Sequence, residues 1–250
     1  MKIFTVNATR AVKFTSIFLK LCAVITIFSL VIYFSSFGFE DSKFHLQALN
    51  ELTEEKTVVI DAGHGGEDCG AIGVNGSYEK DLNLEIATML GEMLAKDGYA
   101  VVYTRTEDHL LYSEEENIKG LRKIYDLKNR CKIAESYPGS IFLSIHMNAF
   151  PNSKYSGLQV YYSESNKNSS ALADSIQKSV RDSLQASNTR EIKAGKNMFV
   201  LKNVNNPAVL IECGFITNED ECQKLSQKEY QKELCFSIIC GIINYQSNFA

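Results

Sequence analysis

Hydrophobic positions fall into two regimes along this chain. Residues 21–39 are nineteen consecutive uncharged and mostly apolar residues, whereas beyond residue 57 short apolar runs alternate with segments of helical period. In the second regime the continuous runs at 57–60, 99–104, 140–145, 157–162, 198–201 and 208–211 predict buried strands. Apolar residues recurring every three to four positions predict helices over 79–96, 126–135, 170–185 and 228–245. Leu82, Ile86, Leu90 and Leu94 line one face of the first, which Gly98 closes. Strands alternating with helices predict one α/β domain, residues 57–250, with a largely parallel twisted sheet flanked by helices. Residues 40–56 are charged and without period, and read as a tether.

The first regime points to a membrane. As a helix, 21–39 would be about 28 Å long, close to the hydrocarbon thickness of a bilayer. Lys2, Arg10, Lys13 and Lys20 precede it with no acid among them, while Glu40 and Asp41 follow. That bias keeps the N-terminus in the cytoplasm and sends the domain across. An uncleaved anchor fits best, because Ser-Phe-Gly-Phe-Glu after the run is a poor cleavage site. A cleaved signal peptide and a buried helix are the alternatives.

Charge and cysteine usage narrow the class. A net charge of -4 gives no reason to expect nucleic acid as a partner. The seven cysteines are irregularly spaced, with no C-x-x-C pair, and so predict neither a disulfide framework nor a cysteine metal site.

Four polar residues share a place on this map. His64 lies just past the first strand, His146 directly follows the 140–145 strand, and Glu212 directly follows the 208–211 strand. Glu79 opens the first helix. Sites in open α/β sheets gather outside the carboxyl ends of the strands. Two imidazoles and a carboxylate match a catalytic zinc sphere, and a second carboxylate could act as general base. A strand-end histidine is more often structural, and Glu79 could simply favour the helix dipole. Glu212, flanked by Ile211 and Cys213, is costlier to explain away. His45 and His109 carry no such pattern.

Five ordered motifs carry a resemblance. They are Val-Val-Ile-Asp-Ala-Gly-His-Gly-Gly at 58–66, Tyr-Glu-Lys-Asp-Leu-Asn-Leu at 78–84, Thr-Arg-Thr-Glu-Asp at 104–108, Ser-Ile-His-Met-Asn-Ala at 144–149, and Ile-Glu-Cys-Gly-Phe-Ile-Thr-Asn at 211–218. Together they resemble the zinc-dependent N-acetylmuramoyl-L-alanine amidases of bacterial cell walls. The resemblance implies Zn²⁺ held by His64, Glu79 and His146, with Glu212 as the catalytic glutamate and Arg130 as a support for the rim. It also implies peptidoglycan as substrate. The stretches 119–130 and 151–162 are similar to the germination-specific branch found in spore formers, which implies a role in muramic δ-lactam formation in spore cortex. An extracytoplasmic activating protein is a further expected partner in that setting. An inactive peptidoglycan-binding scaffold and a stem-peptide metallopeptidase are the competing readings.

Overall fold

The β-branched run at the start of the domain forms strand β1, Thr57–Ala62, and everything after Val58 in it is buried. In the computed structural model, which describes residues 25–26 and 56–249, the elements that follow are α1 (Glu79–Lys96), β2 (Ala100–Tyr103), α2 (Arg122–Glu135), β3 (Ile141–Asn148), β4 (Gln159–Tyr162), α3 (Ser169–Ser183), β5 (Lys193–Ala194), α4 (Phe199–Asn203), β6 (Ala208–Phe215), α5 (Glu219–Leu225) and α6 (Lys228–Phe249). The chain divides into two units, Met1–Glu54 and Glu55–Ala250, and this fold belongs to the second.

The six strands form one sheet in the order β2-β1-β3-β6-β4-β5. β1 pairs in parallel with β2 and β3, and β3 in parallel with β6. β4 runs antiparallel to β6 and parallel to β5, so the sheet is mixed, with one of its five pairings departing from the parallel arrangement expected. The reason is topological. β4 follows β3 after a loop of ten residues (149–158), too short for the helical crossover that a parallel partner would require.

Alternation along the strands gives the sheet two apolar faces. Val58, Ile60, Leu143, Ile145, Val209 and Ile211 point to one side, against α1, α3 and α6. Val59, Phe142 and Leu210 point to the other, against Ala134 of α2 and Val200 and Leu201 of α4. Leu172 and Ile176 of α3 and Ile238 and Ile242 of α6 are fully buried between the helices, each burial stabilising by about 1.5–3 kcal/mol. Local signals agree with these elements. α1 has Glu79 and Asp81 in its first turn and Lys96 in its last, matching the helix dipole. The Asn218 side chain caps α5 by accepting from the Glu221 N–H at 3.0 Å.

Residues 198–201, expected as a strand, belong instead to the start of the short helix α4. A four-residue apolar run does not reveal its own period. α2 begins at Arg122, four residues before the expected start, and the short β5 and α5 were not anticipated. All six described cysteines are free. Among the described residues no helix is long and apolar enough to cross a membrane. The anchor expected at 21–39 and the tether at 40–56 lie outside the described residues, save Ile25, Thr26 and Lys56.

Candidate metal centre

The parallel strands β1, β3 and β6 end together, and the candidate residues lie at that shared edge. β1 runs out into Gly63 and His64. His64 has φ 61°, and Gly65 (141°) and Gly66 (54°) continue the run of positive φ. A histidine in the left-handed region is held there only if its surroundings over-determine it. Here two buried arginines do so. Arg105 donates through Nε to the Ala62 carbonyl (2.9 Å) and through Nη2 to the Gly63 carbonyl (3.0 Å). Arg130 donates through Nη1 to the Ala62 carbonyl (2.6 Å) and through Nη2 to the His64 carbonyl (2.7 Å). Asn83 of α1 adds a second donor to the Gly63 carbonyl at 3.1 Å.

Arg130 is in turn neutralised from below. It pairs with Asp61 (2.6 Å) and, one helical turn back, with Asp126 (2.8 Å). Asp61 also accepts from Thr104 and Ser144. Burial pushes the Asp61 carboxyl up, but the Arg130 guanidinium and the two hydroxyls outweigh it and hold the group below the usual carboxylate range. The loop that carries His64 is thus bolted to β1, β3 and α2.

Three ligand-type side chains converge above it. Glu79 Oε1 lies 3.2 Å from His64 Nε2 and 2.9 Å from His146 Nδ1, and all three ligand atoms fall within 4.8 Å of one another. Glu79 is fixed by backbone donors, Met147 N–H to Oε1 (3.2 Å) and Ala71 N–H to Oε2 (2.8 Å). Two glycines make room. A Cβ on Gly63 would collide with the His146 ring, and one on Gly70 would sit 2.5 Å from Glu79 Oε2. His64 Nδ1 is 2.9 Å from Asp68 Oδ2, and Lys123 of α2 pairs with that same carboxylate. With Nδ1–H donated to Asp68, Nε2 is left to face Glu79.

The electrostatics suit a cation. Burial alone would lower the His64 pKa, but its bonds to Asp68 and Glu79 raise it to about 9. Burial would raise the Glu79 carboxyl, yet the two imidazoles hold it well below the ordinary range. A metal ion would take the place of the protons these groups now attract, and two histidines with one carboxylate are a fitting donor set for a divalent transition metal.

Glu212 stands beside this set, opposite His146 in the β3–β6 ladder. It is half-buried, and its enclosed Oε2 has no hydrogen-bond partner. Burial, the largest influence, lifts its pKa to about 7. It lines a cavity of about 340 Å³ with His64, His146, Lys123, Met198 and Phe199.

The structure therefore brings His64, Glu79, His146 and Glu212 together and seats Arg130 beneath them, while His109 is exposed outside the set and His45 is outside the described residues. Asp68, Asn83, Arg105 and Lys123 were not anticipated as parts of this site. Arg105 sits inside the 104–108 motif and Asn83 inside the 78–84 motif, whereas Asp68 lies two residues past the 58–66 motif. Lys123 lies in the 119–130 stretch, whose resemblance gave this lysine no role.

Residues 58–244 match the model of the N-acetylmuramoyl-L-alanine amidase family. The germination-specific N-acetylmuramoyl-L-alanine amidase of Bacillus subtilis is 35% identical over 190 residues, covering 76% of this chain and 79% of that protein. The CwlD amidase of Clostridioides difficile, solved in complex with the GerS lipoprotein, superposes with a TM-score of 0.74 at 40% identity, covering 78% of this chain and 100% of that one. The amidase AmiC2 of Nostoc punctiforme gives 0.65 at 31% identity, covering 77% and 97%. The chain belongs to the N-acetylmuramoyl-L-alanine amidase family.

Proposed function

We propose that this chain is a zinc-dependent hydrolase that cleaves the amide between the lactyl carbonyl of muramic acid and L-alanine in peptidoglycan. The observation that carries the reading is Glu212, an enclosed carboxylate with an unpartnered oxygen, placed beside the His64–Glu79–His146 cluster. Zinc bound by those three residues would supply Lewis acidity toward the carbonyl and its attacking water. The chain's own residues supply the rest. Glu212 Oε2 accepts a proton from the water as its oxygen bonds to the carbonyl carbon, then returns that proton to the alanine nitrogen as the C–N bond breaks. Burial disfavours the charged form of this carboxyl, which suits one group to both accepting and returning the proton. Asp68 keeps His64 in one orientation and tautomer, and the two arginines hold the loop so that the ligands need not reorganise.

The biological setting is part of the proposal. Likeness to the germination-specific amidase and to CwlD supports action on spore cortex peptidoglycan. The lipoprotein partner of CwlD supports an extracytoplasmic protein partner here as well. The apolar run at 21–39, with cations before it, supports a membrane anchor and a catalytic domain outside the cytoplasm.

Digestion of purified sacculi tests the chemistry. The wild-type protein should release stem peptides with new L-alanine amino termini, and Glu212→Gln should keep its metal while turnover falls about 100-fold or more. A fully active Glu212→Gln protein, or products cut within the stem peptide, would sink this reading.

A further inference from the structure

One arginine at the sheet edge forms no ion pair with any described carboxylate, though its charge reaches Glu221. Arg190 precedes β5 and is half-buried. Its Nε donates to the Ser156 carbonyl at 2.7 Å and its Nη1 weakly to Gln159 Oε1 at 3.4 Å. Its guanidinium carbon lies 4.5 Å from the centre of the Phe215 ring and 5.6 Å from that of Tyr155. Those two rings are stacked, with centroids 6.1 Å apart. The guanidinium is therefore fixed in place by neutral groups, while among the described residues no carboxylate pairs with it. Glu221, which lines the same cavity, commits both oxygens to the backbone N–H groups of Gly157 and Phe215, each at 2.8 Å. The cavity measures about 580 Å³ and also carries Lys154 and Lys224 against Asp220. A half-buried guanidinium oriented by such contacts is suited to recognition of a carboxylate.

The ladder shows where this group points. Gln159 and His146 both stand opposite Glu212, so the three side chains share one face of the sheet. One row further on, Asn148 is opposite Phe215, because a bulge on β6 inserts an extra residue between Glu212 and Phe215. Without the bulge Phe215 would project to the opposite face from Glu212; with it, Phe215 and the arginine stacked on it lie on the Glu212 face. The step from one row to the next is roughly 7 Å, about two residues of extended peptide.

We propose that Arg190 forms an anionic subsite of the amidase, binding a free carboxylate within the first three residues of the stem peptide on the leaving-amine side of the cut. The proposal rests on the amidase reading and adds to it a determinant of substrate acidity. Phe215 and Tyr155 are the platform, and Glu212 is not involved in the contact.

Synthetic muramoyl peptides that differ only in whether the acidic groups of the second and third residues are free carboxylates or carboxamides provide the test, varied one position at a time. For wild type, one free carboxylate should lower KM about tenfold or more relative to its amide. Arg190→Gln should abolish that preference, the KM of the acid form rising to meet that of the amide, and Arg190→Lys should retain part of it. The position whose amidation matters identifies the carboxylate bound. Equal KM values for acid and amide in wild type, or an Arg190→Gln protein impaired equally on both, overturn the subsite while leaving the amidase standing. A wild-type protein that releases no peptide from either form overturns the amidase reading itself.

Discussion

The metal-free site has a proton balance that should be visible without any substrate. Glu212 is raised from 4.5 to about 7, chiefly by burial, and His64 from 6.5 to about 9, by Asp68 and Glu79 acting against burial. Both folded values exceed the unfolded ones. The stability they contribute is therefore complete below the unfolded values and is lost as pH rises through about 7 and about 9. The chelated protein should have a Tm that falls across this range. Glu212→Gln should flatten the acidic part of the slope, and Asp68→Ala the alkaline part. Zinc must displace the His64 proton, so its affinity should rise over the same alkaline interval, with proton release measurable by calorimetry in buffers of different ionisation enthalpy. A Tm that climbs with pH in the chelated protein would contradict this assignment of protons. At this scale the sequence was readable where chemistry needs a rare residue type in a telling place, as at His64, His146 and Glu212. Asp68 and Lys123 were not, because acids and lysines are common on surfaces and only the approach of α2 to the His64 loop gives these two a task.

At the scale of elements, the junction of β1, β3 and α2 depends on Arg130. Its guanidinium neutralises the buried Asp61 and Asp126 and holds the Ala62 and His64 carbonyls. Replacing it with methionine would leave two buried carboxylates unpaired. Arg130→Met should cost about 3–5 kcal/mol of stability and weaken zinc binding by freeing the His64 loop. Denaturant titration checks the first effect and metal titration the second. A variant of wild-type stability would show that Asp61 and Asp126 do not need this cation. Longer elements were legible because their periods repeat: α1 and α3 show several turns of apolar spacing. α4 was misread because Met198, Phe199, Val200 and Leu201 are all apolar. The structure divides them by burying Val200 and Leu201 while leaving Phe199 more exposed, at the rim of the Glu212 cavity. The antiparallel course of β4 was also beyond a reading of single segments, since direction is set by where a strand finds its neighbour.

For the whole molecule, the proposed anchor and the proposed substrate make a joint prediction. Full-length protein should fractionate with membranes, and removal of residues 1–39 should release a domain that still cleaves soluble muramoyl peptides. Full-length protein recovered only in the soluble fraction, still carrying residues 1–39, would refute the anchor. The order of the sheet has another consequence, for biogenesis. β3 is flanked by β1 on one side and by β6 on the other, and β6 is encoded some sixty residues after it. Contacts so distant along the chain form late and slowly. A nascent chain that has not yet released residues 208–215 already holds His64, Glu79 and His146, but it has neither Glu212 nor the strand that closes the sheet beside His146. A hydrolase with this topology should therefore stay inert until residues 208–215 have joined the sheet, the last moment at which its cutting power could arise.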